Sequence, residues 1–491
     1  MFGLAVAKRR AGVQEIFFFF TALIFAGFFF GELNLRWAEQ QPLFRIRDII
    51  VFFAMIVVAP TMTKHFATSH GICAFFPRSN RWYILLLMVL AVLPRLIWWL
   101  IVPAKIDSDY RLYIQMGVYF AENGKPMIGN YLLTVAPNLV MYSVLSGLLM
   151  CMFGTSESTM IIFVEVLHVF NILLLYGIGR KLTSTRRAFV VAAVFALLPE
   201  NIFYSHLPGI EAPAMFTELL GLLIILNSKG RETVGRVLSY CIGGVLLTIS
   251  ACIRANAYAV LIALMILMLW QRETGQTAGK KILELMALIF GIVVVLLVNQ
   301  GLKNTLFEDQ KPANGLGWSM YEGLDLDSGG KWTPEKSARC IEVVEANKPT
   351  EANEIFRMEA LERFRGYSFR EKVLMILRKG GALWYETRYS LFSLEGTEAE
   401  QRLNRSAHYA WALCMAAFIS AMLFRLKRPV EKQIWMAAGF PICVILLTTV
   451  WHMIGTSIGR YHYMLIPFIL LTAGILLPGC DKANACERRD G

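Results

Sequence analysis

Long apolar stretches recur along almost the whole chain, and they restrict the fold more than any other feature. One stretch runs from Trp82 to Pro103. The first stretch of the chain begins near Glu15, and the last ends near Pro478. A helix of about 20 apolar residues is long enough to cross a bilayer. With 56% hydrophobic residues and a mean hydropathy of +0.52, the composition is typical of a polytopic membrane protein. We therefore predict an all-α membrane bundle.

Basic residues cluster in the short connections between these stretches, a pattern typical of cytoplasmic loops. The clusters lie at 8–10, 64–81, 180–187, 229–236, 272–281, 425–432 and 482–489. If all of them are cytoplasmic, the chain makes about twelve crossings with both termini inside. The connections that then face outside are 32–48, 105–131, 205–211, the break near Arg254, 301–406 and 451–463. The net charge of +12 thus reflects topology, and we expect no nucleic-acid partner.

Two segments on the predicted outer side are not counted as crossings. Counting the apolar stretch 132–153 as a crossing would move the basic cluster 180–187 outside. We therefore predict a juxtamembrane or re-entrant helix there. The stretch 110–123 mixes apolar and polar residues and predicts a short interfacial helix that ends at Gly124.

The connection 301–406 is the one long loop, and its acidic and basic residues nearly balance. Ser368 and Glu371 form a capping-box pattern at the start of a helix that Gly380 and Gly381 would end. Apolar residues at helical spacing across 350–364 predict another helix. We expect a small, partly helical outer domain. The chain then divides into 1–81 with two N-terminal spans, 82–300 as the main membrane module, 301–406, and 407–491 with the last spans and a cytoplasmic tail.

Two carboxylates, Asp107 and Asp109, follow closely after the span Trp82–Pro103. They could be solvated loop residues, since such triplets arise by chance and Asp325 and Asp327 form another. They could also supply a general base, alone or with a neighbouring carboxylate or a metal ion. The residues alone leave both interpretations open.

Further acids and a lone arginine stand at predicted outer connections. Glu200 and Glu211 flank one of them, either as water-facing acids or as a second acidic group at the same cavity. Arg254 interrupts an apolar stretch, where it could extend to the interface or bind a phosphate.

The last outer connection combines basic and aromatic residues directly before the final span. It contains His452, Arg460, Tyr461 and His462. Aromatic residues at an interface often only anchor the helix. Arginine and histidine together at that depth suit an anionic headgroup such as a lipid phosphate. No cysteine and histidine spacing indicates a zinc site.

Taken together, these residues resemble the GT-C superfamily of integral-membrane glycosyltransferases, which includes protein O-mannosyltransferases and the aminoarabinose transferases of lipid A. The resemblance covers most of Trp82–Pro478. Its markers are Ile106–Tyr113, Leu198–Tyr204, Glu211, Arg254, Gly317–Gly323, Gly329–Trp332 and Arg460–Pro467. It implies a GT-C-like bundle of about twelve transmembrane helices with juxtamembrane helices and one partly helical outer loop domain. It also places the catalytic module at 82–300.

The resemblance implies transfer of a hexosyl or pentosyl group from a polyprenyl-phosphate sugar to an acceptor hydroxyl, with inversion. Asp109 matches the family's catalytic aspartate, with Asp107 in a supporting role. The implied substrate-binding residues are Glu211, Arg254, His452, Arg460, Tyr461 and His462. The resemblance leaves open whether the reaction needs a divalent metal ion, because relatives differ in their use of one. The expected partners are the lipid-linked sugar, membrane lipid and a glycan, lipid or protein acceptor. The expected location is the bacterial cell membrane, with the active site on the outer face.

Two other functions fit parts of the pattern. A secondary transporter also has about twelve crossings, but transporters tend to show two related halves and binding groups near the midplane. Here no repeat is visible, and the polar groups collect at one face. A lipid-linked oligosaccharide polymerase or ligase also has a large outer loop. Its key arginines and histidine would be expected in that loop, whereas the acids of this chain come early.

Overall fold

The computed structural model describes residues 14–31, 52, 54–58, 80–127, 129–270, 277–306, 313–426 and 431–477. Within these ranges the chain forms helices and connecting turns and no β-strand. The basic clusters 8–10 and 482–489, the cluster residues 64–79 and most of the second N-terminal span lie outside the described residues.

The helices follow one another closely along the chain. In order they are α1 (Gln14–Gly31), α2 (Asn80–Ile101), α3 (Ser108–Asn123), α4 (Asn130–Val135), α5 (Leu139–Phe153), α6 (Glu157–Leu182), α7 (Thr185–Leu197), α8 (Pro199–Phe203), α9 (Glu211–Leu226), α10 (Thr233–Ile253), α11 (Tyr258–Trp270), α12 (Ala278–Leu306), α13 (Leu316–Gly323), α14 (Pro334–Ala346), α15 (Pro349–Gly366), α16 (Phe369–Tyr385), α17 (Glu398–Arg425), α18 (Lys432–Ile454) and α19 (Ile466–Leu476). Short 3₁₀ turns occupy Ala255–Ala257, Arg388–Leu394, Gly459–Tyr461 and Tyr463–Leu465.

In the described part of the chain, eight helical segments are long and apolar enough to cross a membrane. They are α1, α2, α6, α10, α12, α17, α18 and the segment Gly459–Leu476 that ends in α19. Three further predicted crossings are built from shorter helices. The first consists of α7 and α8 together, the second is α9 and the third is α11. The predicted break near Arg254 is confirmed, because α10 ends there and α11 begins after a 3₁₀ turn. The all-α polytopic architecture is therefore confirmed.

The segment 132–153 forms two helices instead of one span. The 15 residues of α5 extend over about 22 Å, less than the about 30 Å of a hydrocarbon core. This helix packs on α3, where the small Gly117 lies against Ser146 and Met150. As predicted, α3 ends at Gly124, whose φ of 67° only glycine adopts without strain. The length of α5 fits a juxtamembrane helix, and its side of the membrane stays a prediction.

The predicted loop 301–406 contains a folded unit, which we call the outer domain after its predicted side of the membrane. Apolar residues of α13 to α16 form their own core: Trp318, Met320, Tyr321, Leu324, Cys340, Val343, Val344, Ala352, Phe356, Ala360 and Met375. The predicted capping box is confirmed, since the Glu371 N–H donates to Ser368 Oγ and the Ser368 N–H to Glu371 Oε2. The predicted stop at Gly380 and Gly381 is wrong, because α16 continues to Tyr385. A Cβ at Gly380 would overlap the ring of Phe28, so this glycine lets α1 approach α16 closely.

Candidate active site

The Asp-Ser-Asp turn forms the start of α3. Asp107 is the N-cap residue, and its side chain accepts a hydrogen bond from the Ser108 N–H over 2.8 Å. Ser108 is the one non-glycine residue in the described ranges with a positive φ, at 54°. Such backbone strain costs about 1–3 kcal/mol and often accompanies functional sites. The turn therefore holds Asp107 at the helix end and leaves Asp109 free to make other contacts.

Asp109 makes its principal contact with a residue from the far end of the chain. Its Oδ2 accepts a hydrogen bond from Arg460 Nη1 over 2.9 Å, while 57% of the Asp109 side chain stays exposed. Asp107 is 63% exposed and lies 3.9 Å from Arg111 instead. Of the two acids, Asp109 alone joins the buried basic residues.

Arg460 is buried between acids and aromatic rings. Its Nε donates to Glu211 Oε1 over 2.6 Å, and its Nη2 donates to the Tyr113 hydroxyl over 3.2 Å. The guanidinium carbon also lies 4.9 Å from the centre of the Tyr110 ring. Charge-assisted bonds of this kind offset the desolvation of a buried arginine.

Arg254 is the second arginine at this position. Its Nη2 lies 3.2 Å from Glu211 Oε1, and its guanidinium lies over the Tyr461 ring at 4.7 Å. The Nη2 atom is buried and has no hydrogen-bond partner of good geometry. We call Asp109, Arg460, Glu211 and Arg254 the charge array. Two carboxylates and two guanidinium groups alternate in it, with formal charges that balance.

Within the described residues, His452 makes no hydrogen bond to the four members of the charge array. Its Nδ1 is 2.6 Å from the Thr456 carbonyl oxygen, and its Nε2 is 3.0 Å from Asn256 Oδ1. Its ring stacks on that of Tyr461 at 4.8 Å. The ring of Tyr461 therefore contacts both Arg254 and His452.

His462 lies elsewhere, although the sequence predicts it as a phosphate ligand. It is fully buried, its Nε2 is 3.1 Å from Glu200 Oε2, and its ring stacks on Trp411 at 4.8 Å. The physical reason is the 3₁₀ geometry of this segment. With about three residues per turn, side chains two positions apart point to different sides. Glu200 therefore pairs with His462 and not with a member of the charge array.

Sequence reasoning missed the aromatic and polar neighbours of the array. Tyr110 and Tyr113 follow Asp109 on the first turns of α3, and helical spacing could have identified Tyr113 at the fourth position after Asp109. Glu322 of α13 lies within the marker Gly317–Gly323, but the resemblance implies no role for it. Its side chain is buried, its Oε2 accepts a hydrogen bond from Thr456 Oγ1 over 2.8 Å, and burial raises its pKa to about 7.

A metal ion would require converging ligands. Among the residues that the structure describes, no group of three or more His, Cys, Asp or Glu side chains is arranged to hold one. Asp109 and Glu211 instead converge on the guanidinium of Arg460. The carboxylates here are thus arranged around a cation that the chain itself supplies.

No family model matches the sequence, and no curated protein does either. Among solved structures, the oligosaccharyltransferase AglB of Archaeoglobus fulgidus, in complex with an inhibitory peptide and a dolichol-phosphate, is 13% identical. It gives a TM-score of 0.36 and covers 78% of this chain and 57% of its own. The apo form of the A. fulgidus oligosaccharyltransferase gives 12% identity, a TM-score of 0.34 and coverage of 84% and 58%.

ArnT from Cupriavidus metallidurans in the apo state gives 12% identity, a TM-score of 0.33 and coverage of 81% of this chain and 78% of its own. The chain spans 57% to 58% of the length of the oligosaccharyltransferases. All these TM-scores lie below 0.5.

Proposed function

We propose that the protein is a membrane glycosyltransferase that moves a sugar from a polyprenyl-phosphate donor to an acceptor hydroxyl, with inversion. The observation that carries the proposal is the charge array. It places a half-exposed carboxylate, Asp109, directly beside the buried Arg460, and Glu211 joins Arg460 to a second buried arginine, Arg254. A transferase with an anionic leaving group needs these two elements, a proton acceptor and positive charge, next to each other.

In the proposed reaction, Asp109 acts as the general base. The acceptor oxygen attacks the anomeric carbon while its proton passes to the Asp109 carboxylate. The bond between that carbon and the phosphate oxygen breaks, and its electron pair leaves with the lipid phosphate. Attack from the face opposite the leaving group inverts the configuration.

The arginines supply the positive charge for the leaving group. Arg254 is the more available one, because its buried Nη2 forms an ion pair with Glu211 over 3.2 Å but makes no hydrogen bond of good geometry. Arg460 is neutralised by Asp109 and Glu211 before reaction. When Asp109 takes up the proton, it loses its negative charge, and the array gains one net positive charge as the phosphate departs. Proton transfer and leaving-group stabilisation are thereby coupled.

The test is transfer of radiolabelled sugar from polyprenyl-phosphate donors by membranes that contain the protein. Asp109→Asn should lower the rate at least about 100-fold, since a general base contributes about that much or more. Asp327→Asn is the matched control, because Asp327 is the second acid of another Asp-x-Asp triplet and is exposed in the outer domain. It should transfer at the wild-type rate.

Full activity of Asp109→Asn would exclude Asp109 as the base. Solute flux in proteoliposomes that contain no lipid-linked donor, together with absence of transfer, would support the transporter alternative and reject the whole proposal.

A further inference from the structure

The connection Gly455–Tyr461, which we call the Arg460 connection, is held by the outer domain. Its Thr456 donates a side-chain hydrogen bond to Glu322 Oε2 over 2.8 Å, and the Thr456 N–H donates to Ser319 Oγ over 3.2 Å. Glu322 and Ser319 both belong to α13. Arg460 follows Thr456 four residues later, so α13 holds the peptide segment that carries the central arginine of the charge array.

A buried lysine joins the same two segments. Lys379 of α16 is fully buried, and its Nζ donates to the carbonyl oxygens of Gly323 over 2.6 Å and Gly455 over 2.8 Å. A Cβ at Gly323 would overlap the backbone of Gly455, so the backbones of these two segments are in direct contact. The end of α13 and the start of the Arg460 connection therefore form one packed unit.

The opposite side of the Arg460 connection is tied to the membrane bundle. His452 contacts the Thr456 carbonyl oxygen at 2.6 Å, and Asn256 Nδ2 donates to the Tyr461 carbonyl oxygen over 3.2 Å. The connection is thus held at Thr456 from two sides. Removal of Glu322 would take away the side-chain hydrogen bond of Thr456, while the contacts from Ser319, Lys379 and the membrane bundle would stay in place.

We propose that Glu322 is a positioning residue that fixes Arg460 for the reaction by accepting the hydrogen bond of Thr456. This inference rests on the proposed function. Burying a carboxylate that contacts one threonine hydroxyl is costly. The hydrogen bond between Thr456 and Glu322 holds the segment that sets the positions of Arg460 and Tyr461. Loss of the acceptor lets the Arg460 connection move, and the array then stabilises the leaving phosphate less well.

The first measurement is hydrogen–deuterium exchange of the purified full-length protein in lipid nanodiscs at pH 7. Glu322→Leu and Thr456→Val should each raise the exchange rate of amides in residues 455–461 about tenfold. Glu322→Gln keeps a carbonyl acceptor for Thr456 and should stay near the wild-type rate. Glu345→Leu, at an exposed acid of α14, is the matched control and should have no effect. Unchanged exchange in Glu322→Leu would overturn the proposal.

The second measurement is the transfer rate of the same variants. Glu322→Leu should lower kcat about tenfold with little change in the donor KM, and Glu322→Gln should restore it to within about threefold. The double variant Glu322→Leu/Thr456→Val should lose no more than either single variant, because both remove one hydrogen bond. Faster exchange with wild-type kcat would overturn the positioning role. A wild type that transfers no sugar but shows the expected exchange pattern would reject the proposed function and retain the role of Glu322 in fixing this connection.

Discussion

At the scale of single residues, Glu211 is the member of the charge array on which both arginines depend. It contacts Arg460 at 2.6 Å and Arg254 at 3.2 Å, and its side chain is 5% exposed. Removing one partner of a buried ion pair leaves an uncompensated charge and costs about 3–5 kcal/mol. Glu211→Gln should therefore lower the free energy of unfolding by about 3 kcal/mol, measured by thermal unfolding in detergent.

Glu218 provides the control for this prediction, because it is a second buried acid on the same helix, α9. Its Oε1 has no hydrogen-bond partner. Replacing an unsatisfied carboxylate by an amide removes a desolvation penalty, so Glu218→Gln should be neutral or stabilising. Equal destabilisation by both substitutions would show that the arginine contacts of Glu211 contribute little.

Glu322 should make stability depend on pH. Burial raises its pKa from 4.5 to about 7, with Asp109 also raising it, while Lys336 and the Thr456 hydrogen bond lower it. The folded protein therefore holds a proton that the unfolded chain has released, and stability falls as pH rises from about 4.5 through 7. The full difference is about 3 kcal/mol. The melting temperature of Glu322→Gln should exceed that of the wild type by more at pH 8 than at pH 5; a constant difference would contradict the raised pKa.

At the scale of helices, some pairs of helices pack closely only because a glycine lies at the contact. Substituting such a glycine by alanine should destabilise the protein. A Cβ at Gly317 of α13 would overlap the backbone carbonyl of Asn353 in α15. Gly317→Ala should therefore destabilise the outer domain by about 1–3 kcal/mol, although alanine is the better helix former. Gly439→Ala in α18 is the control, since no atom lies within 4 Å of the added Cβ. It should be neutral or stabilise by about 1 kcal/mol, as thermal unfolding can establish.

Local signals predicted the helices well, and contacts between distant segments were predicted poorly. The capping box at Ser368 and the break at Arg254 depend on nearby residues, and both are confirmed. The pair Gly380 and Gly381 predicts a helix end, but Gly380 instead makes room for the ring of Phe28, which lies far away in the sequence. A glycine pair alone cannot show whether it ends a helix or admits a neighbour.

The same distinction applies to the candidate site. Charge topology placed Asp109, Glu211, Arg254 and Arg460 on one face, and the structure joins them in one array. Charge topology could not show that Arg460 lies between two acids, nor that the side chain of His462 points away from the charge array. Those outcomes depend on side-chain directions within a few residues of 3₁₀ turn, which hydropathy and charge counts do not encode.

At the scale of the whole molecule, the array and the outer domain share one end of the bundle. Arg254 follows the last residue of α10, whereas Glu232 precedes its first. The 21 residues of this helix extend over about 32 Å, the thickness of a hydrocarbon core. The outer domain holds the Arg460 connection through Glu322 and Lys379. It should therefore lie on the same side of the membrane as Arg254 and on the side opposite Glu232.

Sidedness can be measured with single cysteines introduced after the native cysteines are replaced by serine. Met358→Cys, at an exposed position of the outer domain, should react with a membrane-impermeant maleimide in intact cells. Glu232→Cys, exposed in a predicted cytoplasmic loop, should react only after the membrane is permeabilised. Labelling in the reverse order would place the array at the cytoplasmic face, where the donor and acceptor would have to be cytoplasmic as well. Labelling of both sites in intact cells would contradict a span at α10, because a helix that crosses the membrane separates its two ends.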